Sequence, residues 1–268
     1  MQHHLFLRTL DDALGLAPPN YDNSRLKRVL DVGTGTGIWA IDFADDHPEA
    51  EVIGVDLSPS APEFIPPNVK FEIDDIEEDW TWSRPFDYIH SRFMNSSISD
   101  WRAYIQKAYN HLTPGGYFEL QEVDLNPRSD DGTLRPDSAL SRCIAFMGEA
   151  SLKLGHSYQE VQALVPMLEE IGFVDVRLYL FKWPMNPWPK LPKYKELGQL
   201  NHENTMIAIE ALTMAPFTRG LGWTKEQVED FLVYVRRDLS NPQIHSYWAI
   251  YDLCARKPTE AELRARGW

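Results

Sequence analysis

Cysteine is scarce in this chain of 268 residues, because Cys143 and Cys254 are the only two and lie far apart. There is no C-x-x-C pair, so neither a disulfide framework nor a zinc site is indicated, and we expect no metal. No apolar run approaches the roughly 20 residues that a membrane-spanning helix needs. The first residues also lack the apolar segment and cleavage site of a signal peptide. We therefore expect a soluble protein of the cytoplasm.

Positive charge is also in short supply. Lysine and arginine together number 26 against 40 aspartates and glutamates, which leaves a net charge of −14, and no basic run occurs. Such an acidic chain is poorly suited to phosphate backbones and anionic membranes, so we expect neither nucleic acid nor membrane as a partner. In contrast, 43 % of the residues are hydrophobic and 12 % aromatic. That is enough for a sizeable core in one large domain, or in a domain with an appended lid.

Three glycines alternate in the stretch Asp31-Val32-Gly33-Thr34-Gly35-Thr36-Gly37, which follows an apolar strand and precedes a helical pattern. Glycine allows positive φ and, without a Cβ, lets a ligand touch the backbone. The start of the next helix offers free N–H groups. The pattern predicts the first strand–helix turn of a doubly wound sheet, where nucleotides bind beyond the strand ends. It departs from the dinucleotide fingerprint G-x-G-x-x-G, because Ile38 stands where the third glycine of that motif falls.

An acid closes the next predicted strand, residues 51–56. This acid, Asp56, lies roughly 20 residues past Gly33, the spacing at which a carboxylate meets ribose hydroxyls in such folds. A carboxylate can accept hydrogen bonds from both vicinal hydroxyls, which explains the residue type. The next residue, Leu57, would lie against the adenine ring. The alternative for Asp56 is an ordinary acid at a strand end.

The remaining strands of this half follow in order. A third strand, residues 68–76, alternates apolar and polar side chains and contains the acids Asp74 and Asp75, and a fourth covers residues 84–92. A helical pattern over 98–112 is broken by Thr113-Pro114-Gly115-Gly116, where the glycines turn the chain into a fifth strand, residues 117–123.

The D-x-G-x-G-x-G turn and the later helix–Pro-Gly-Gly–strand sequence resemble motifs of class I S-adenosylmethionine (SAM) methyltransferases. The resemblance implies a Rossmann-like, doubly wound, mainly parallel α/β sheet and SAM as cofactor. In that family the acid after strand three accepts from the adenine amino group, and the next backbone N–H contacts a ring nitrogen; Asp75 and Ile76 match best. The implied cofactor site comprises Asp31, Gly33, Thr34, Gly35, Gly37, Asp56, Leu57, Asp75, Ile76 and His90. Strand four lacks the Asn/Asp-Pro-Pro-aromatic motif of nucleic-acid amino methyltransferases.

A closer resemblance covers nearly the whole chain. Further segments are similar to those of the fungal LaeA-like methyltransferases, a family of secondary-metabolism regulators and tailoring enzymes. They are His3-His4-Leu5, Gly54–Pro59, Pro66–Val69, Ile89–Arg92, Asp130–Leu134, Gly172–Val176, Trp188–Lys190 and Arg256–Pro258. One departure is that family members usually have more chain before the His3-His4 helix.

Beyond strand five the sequence departs from a minimal sheet. Further predicted elements are helices over 138–154, 158–171, 194–215 and 224–238 and strands over 173–180 and 244–255, the last antiparallel. Residues 1–182 with 241–268 would then form the methyltransferase core, and 183–240 a helical lid that faces the substrate. Four aromatic residues of the lid either line an apolar substrate pocket or form the lid's own core. They are Trp183, Trp188, Phe217 and Trp223.

Methyl transfer from a sulfonium requires a nucleophile held close and dry, and it requires no metal. A general base helps a phenol or an alcohol and is unnecessary for an amine or a carboxylate. The histidines His90, His156, His202 and His245 are candidates by residue type only, so the sequence identifies no catalytic base.

Three functions stay open on the sequence alone. The preferred one is an enzyme that methylates an O, N or carboxyl group of a small secondary metabolite. The second is a LaeA-like regulatory protein that binds protein partners in the nucleus with little or no turnover. The third is a fold relic that binds SAM weakly or uses its pocket for other chemistry. No basic nuclear-import cluster is visible in the sequence, which favours the enzyme.

Overall fold

The structure, a computed structural model, describes residues 1–21, 25–58, 62, 64–155 and 158–265. Its strands are β1 (Arg28–Val32), β2 (Glu51–Asp56), β3 (Val69–Ile73), β4 (Phe86–Arg92), β5 (Leu112–Arg128), β6 (Val174–Pro184) and β7 (Tyr247–Arg256). Its α-helices are α1 (Gln2–Thr9), α2 (Ile38–Asp46), α3 (Trp101–His111), α4 (Ala139–Lys153), α5 (Leu164–Ile171), α6 (Pro192–Ala215), α7 (Lys225–Leu239) and α8 (Glu260–Ala265). None of these helices is both long and apolar enough to cross a membrane.

The strands form one seven-stranded sheet in the order β3-β2-β1-β4-β5-β7-β6. β1 lies inside the sheet with β2 and β4 on either side, and both pair with it in parallel. β3 pairs in parallel with β2, and β5 with β4. β1, β2 and β4 are almost continuously buried. This is the pattern of parallel strands whose two faces are both covered.

The last strand runs antiparallel to β5, as expected. At one end of the pair the Lys257 N–H donates to Gly116 O at 2.8 Å. Further along, the Gln121 side chain donates to Asp252 at 3.2 Å. Residue numbers therefore rise along β5 while they fall along β7, which is the mark of antiparallel neighbours.

Three predicted boundaries need correction. Apolar residues at helical spacing over 2–16 predict a first helix of that length, whereas α1 ends at Thr9. α3 ends at His111, before the Pro-Gly-Gly segment, and that segment lies inside β5, because the strand starts at Leu112 and not at residue 117. Gly115 takes φ +86°, and its N–H donates to Lys257 O at 3.0 Å, so the glycine bends the chain inside the ladder. The predicted helix 158–171 is a short 3₁₀ turn, Val161–Ala163, followed by α5.

The chain forms two compact units. The first, called here the helical unit, comprises Met1–Thr9, Val123–Tyr158 and Leu180–Ile250; the second, the sheet unit, comprises Leu10–Glu122, Gln159–Tyr179 and Tyr251–Trp268. The helical unit contains α6 and α7 of the expected lid, and also α1 and α4. The division into a core of 1–182 with 241–268 and a substrate-facing lid of 183–240 stays a prediction.

Candidate functional site

The glycine stretch forms a tight turn between β1 and α2. The N–H groups of Gly33 and Thr34 both donate to Val55 O, at 2.9 and 3.0 Å, which ties the turn to the end of β2. Gly33, Gly35 and Gly37 have φ values of +68°, +56° and +76°. Side chains rarely adopt this left-handed region, so the turn requires glycine at all three positions.

The three glycines differ in what lies in front of them. A Cβ on Gly33 would lie 2.2 Å from Met94 Sδ, and one on Gly37 would lie 2.4 Å from the ring of Phe71. These two positions serve close packing inside the sheet unit. A Cβ on Gly35 would meet nothing within 4 Å. Gly35 is therefore the point where the backbone faces open space and a ligand can approach it closely.

Asp56 stands at the end of β2, beside this open glycine. Its carboxylate accepts from the Gly35 N–H at 2.9 Å and from the Ser58 N–H at 3.0 Å. Among the described residues each oxygen therefore has one donor, and it can accept a second hydrogen bond. The following side chain, Leu57, is 67 % exposed. The structure thus brings Gly35, Asp56 and an exposed apolar side chain together at the carboxyl ends of β1 and β2.

The loop after β3 is held by backbone and side-chain hydrogen bonds. Asp75 accepts from the Glu77 N–H at 2.9 Å. Ile76 is buried, and its carbonyl accepts from Trp80 Nε1 at 3.0 Å and from Lys107 Nζ at 3.2 Å. The Ile76 N–H has no hydrogen-bond partner within the described ranges. A backbone donor and a carboxylate are therefore available next to each other in this loop.

Asp31 and His90 lie behind the turn and are buried. Asp31 Oδ2 accepts from the Thr34 hydroxyl at 2.6 Å, and Oδ1 is 2.8 Å from His90 Nδ1, which therefore carries the hydrogen. The two residues are 3 % and 0 % exposed. In this geometry they hold the turn in place from behind. Their assignment to the cofactor site, like that of the other eight residues, stays a prediction.

The turn is connected to the N-terminal segment through an aromatic pair. The indole of Trp39 stacks on the His90 ring, with centroids 3.8 Å apart and planes 7° from parallel. Its Nε1 donates to Leu14 O at 3.1 Å, and Gln121 Nε2 donates to the same carbonyl at 3.0 Å. Residues 10–20, called here the N-terminal strap, are thereby fixed to the sheet close to the glycine turn.

Glu119 is the main anchor of the strap. Its fully buried carboxylate accepts from the Leu16 and Ala17 N–H groups at 2.6 and 3.1 Å. It also accepts from Asn20 Nδ2 at 3.1 Å and from the Tyr88 hydroxyl at 2.6 Å. Four donors compensate the desolvation of the charge. These bonds form a buried polar network under the strand ends, between the strap and the sheet.

A second carboxyl group, Asp252 on β7, completes this network. Burial and the neighbouring Glu119 carboxylate raise the pKa of Asp252 well above its ordinary value of 3.8. The protonated form can donate a hydrogen bond to Glu119, while Gln121 donates to the other oxygen of Asp252. The folded protein therefore keeps the Asp252 proton to a higher pH than the unfolded chain does.

Several supporting residues were missed in the sequence. Glu119, Gln121 and Glu122 are fully buried. Glu122 accepts from the Met94 N–H at 2.7 Å and so holds the loop that packs on Gly33. The signal that could have identified these residues is the presence of three polar side chains in the predicted fifth strand, residues 117–123. Lys107 carried no such signal, because only the fold places its ammonium against the Ile76 carbonyl.

The other histidines are not brought to this turn by any contact in the described structure. His202 Nδ1 lies 3.3 Å from Met185 O, and His245 Nδ1 lies 2.6 Å from Asp131, both inside the helical unit. His156 is outside the described residues. No cluster of three or more potential metal ligands occurs among the residues that the structure describes.

The structure divides the four aromatic residues between the two alternatives that the sequence left open, a pocket wall and a core. Trp183 and Phe217 are 1 % and 0 % exposed and belong to the core of the helical unit. Trp223 lines a groove with Phe231, whereas Trp188 lines a different cavity. The alternative that these aromatic residues form a core therefore holds for Trp183 and Phe217. Large aromatic side chains contribute most to stability when they are fully buried.

A mainly parallel sheet with a glycine turn after its first strand, and an acid at the end of the second, defines a Rossmann-like α/β protein. A model of the methyltransferase domain matches residues 1–178. The chain belongs to this methyltransferase family.

Two fungal relatives are similar over almost the whole chain. The methyltransferase pytC of Aspergillus terreus is 42 % identical over 259 residues, which cover 96 % of this chain and 79 % of that protein. The secondary metabolism regulator LAE1 of Cochliobolus heterostrophus is 37 % identical over 262 residues, which cover 96 % and 85 %. The resemblance to LaeA-like proteins that the sequence motifs indicated is confirmed.

A solved structure supports the fold. The phosphoethanolamine N-methyltransferase 2 of Haemonchus contortus, in complex with S-adenosylhomocysteine, gives a TM-score of 0.52 at 17 % identity. The match covers 87 % of this chain and 49 % of that one, so the chain corresponds to about half of that protein. At this identity the likeness concerns the fold alone, and it agrees with the predicted α/β class.

Substitution of Gly35 and of Gly37 should lower stability by different amounts, because only Gly37 faces a close side chain. Gly35→Ala should lower the free energy of unfolding by about 1–2 kcal/mol through the positive φ alone. Gly37→Ala adds an overlap with Phe71, so we expect about 1–3 kcal/mol more. Urea unfolding of both variants measures the difference. Equal losses would show that Phe71 moves aside and does not constrain position 37.

The raised pKa of Asp252 predicts a pH-dependent stability. Above pH 4 the unfolded chain releases a proton that the folded protein keeps, so this residue lowers stability as pH rises towards its folded pKa. Asp252→Asn removes that titration, and its melting temperature should fall less than that of the wild type between pH 4.5 and 8. Asp45 is exposed on α2, so Asp45→Asn is the matched control. Its melting temperature should change with pH as that of the wild type does. Parallel curves for Asp252→Asn and the wild type would contradict the protonated carboxyl.

Proposed function

We propose that this chain is a SAM-dependent methyltransferase that acts on an O, N or carboxyl nucleophile of a small secondary metabolite. The observation that carries the proposal is the pairing of Gly35 and Asp56. An open glycine backbone stands beside a carboxylate whose oxygens each accept one hydrogen bond from the part of the chain that the structure describes. The solved neighbour that shares the fold is a methyltransferase in complex with S-adenosylhomocysteine, and the relative pytC is named a methyltransferase.

The residues present fit the parts of SAM. Asp56 would accept from the ribose hydroxyls, and the exposed Leu57 side chain would cover one face of the adenine. Asp75 and the unpaired Ile76 N–H would contact the polar edge of the adenine ring. When bound, SAM supplies an activated methyl group on a sulfonium. The role of Asp31, Thr34 and His90 is to keep the turn rigid, because their contacts lie behind it.

Rigidity of the turn matters for the chemistry. In-line displacement requires the acceptor and the methyl group to be aligned at close distance, which a preorganised site provides. Trp39, stacked on His90 and bonded to Leu14 O, restricts the turn and the N-terminal strap together. An amine or a preformed carboxylate needs no catalytic base when it accepts the methyl group. A more acidic hydroxyl has less need of a base than an alcohol does.

A regulatory role is the second candidate, because LAE1 and other relatives are named secondary metabolism regulators. In that case the same turn binds SAM, and the partner is a protein instead of a small molecule. The two candidates differ in their product. Extracts incubated with the protein and methyl-labelled SAM should yield a labelled small molecule in mass spectrometry if the chain is a tailoring enzyme. Intact SAM binding without any labelled small molecule would favour the regulator.

Binding of the cofactor provides the direct test. Asp56→Ala should weaken SAM and S-adenosylhomocysteine by about 2 kcal/mol, or roughly thirtyfold, through loss of the hydrogen bonds to the ribose. Calorimetry measures the affinity, and Asp45→Ala on the exposed face of α2 is the control with the same charge change. Since Asp56 also holds Gly35, melting curves of both variants accompany the titrations. Unchanged affinity in a folded Asp56→Ala variant would remove Asp56 from the site.

A further inference from the structure

Two of the sequence motifs that the glycine turn does not use meet in the helical unit. Residues of Asp130–Leu134 and of Trp188–Lys190 line the same cavity, which has a volume of about 590 Å³. This volume is within the range of small-molecule sites, roughly 300–1,000 Å³. The cavity therefore has the size of a ligand site and lies within one unit of the molecule.

Aromatic groups form the apolar part of the wall. The Trp188 indole stacks on the His245 imidazole, with centroids 4.7 Å apart and planes 28° from parallel. Trp188 Nε1 donates to Ser246 O at 3.2 Å, which orients the ring. Tyr194 and Leu191 also line the cavity and are 39 % and 64 % exposed. Flat, oriented and accessible rings of this kind suit a planar aromatic ligand.

The two acids in the wall are already satisfied by protein donors. Asp131 accepts from Ser129, from the backbone and hydroxyl of Thr133, and from His245 Nδ1 at 2.6 Å. These bonds, with that of the Thr133 hydroxyl foremost, lower the pKa of Asp131. Asp130 accepts from the Tyr247 hydroxyl at 2.7 Å and from Lys182. Protein donors therefore surround both carboxylates.

Two lysines face these two aspartates in the cavity wall, so the formal charges balance, but only one of the lysines has a carboxylate partner among the described residues. Lys182 is shared between Asp130 and the face of Tyr247, 4.4 Å from the ring centroid. Lys190 lines the cavity and is exposed, and it has no carboxylate partner within the described ranges. In a chain of net charge −14, an unneutralised ammonium beside oriented aromatic rings is complementary to an anion.

We propose that this cavity binds a planar aromatic carboxylate, with the ring against Trp188 and the carboxylate at Lys190. The two features act separately: ring stacking provides most of the affinity, and the ammonium discriminates the acid from a neutral analogue. The inference does not rest on methyl transfer, because it uses only residues of the helical unit.

Calorimetry with 2-naphthoate and with the neutral 2-naphthalenemethanol tests the proposal on the full chain. The acid should bind about fivefold more tightly than the alcohol, in line with a partly exposed ion pair. Lys190→Gln should weaken the acid about threefold to fivefold and leave the alcohol within about twofold. Lys153→Gln, which removes an exposed lysine from α4, is the control and should change neither. Trp188→Ala should weaken both ligands about tenfold.

The outcomes separate this proposal from the proposed function. SAM binding is measured in the same samples, so absence of saturable naphthoate binding with intact SAM binding overturns the aromatic-acid site alone. Loss of SAM binding with intact naphthoate binding overturns only the cofactor assignment. Saturable binding that neither Lys190→Gln nor Trp188→Ala alters would place the ligand elsewhere and overturn the proposal. Because Lys190 is exposed, its variant keeps the test valid even if Trp188→Ala is destabilised.

Discussion

The glycine turn depends on the hydrogen bonds of the buried Asp31 carboxylate. An ionised group removed from water costs several kcal/mol unless hydrogen bonds compensate it. Asp31 meets this requirement with the Thr34 hydroxyl on one oxygen and His90 on the other. Because Asp31 is on β1, Thr34 in the turn and His90 on β4, one side chain determines how the turn sits on two central strands. A turn held in this way presents Gly35 to a ligand without a large loss of entropy on binding.

The polar network under the strand ends extends this constraint to the N-terminal strap. Glu119, Gln121 and Asp252 would be costly in a buried sheet if any of them lacked partners. The strap supplies backbone N–H groups from Leu16 and Ala17 and the Leu14 carbonyl. The sheet and the strap are thus mutually required, because removal of the strap would leave the Glu119 charge short of donors. Buried polar groups here specify one arrangement of the chain as much as they stabilise it.

The helical unit uses its aromatic residues in two ways. Phe217 is fully buried in a cluster with aliphatic residues of α4, α6 and α7, and Trp183 packs against Phe6 with its Nε1 bonded to Thr9. Trp188, in contrast, keeps an accessible face over a cavity. Burial removes a ring from possible ligand contacts, so residue type alone does not separate core from cavity wall. The difference lies in what each ring packs against.

The sequence by itself determined the local elements. The bounds of β2 agree with the predicted strand, and α2 begins directly after Gly37, because apolar runs and glycines act over a few residues. The mainly parallel sheet followed from the glycine turn and from the resemblance to class I methyltransferases. The strap anchor, in contrast, joins Leu16 to Glu119, which is 103 residues away. The same is true of the support that Lys107 gives to Ile76, 31 residues away, and of the stacking of Trp188 on His245 in the cavity wall. These contacts depend on how distant segments pack, and no local pattern encodes that packing, so only the tertiary structure decided which polar and aromatic side chains meet.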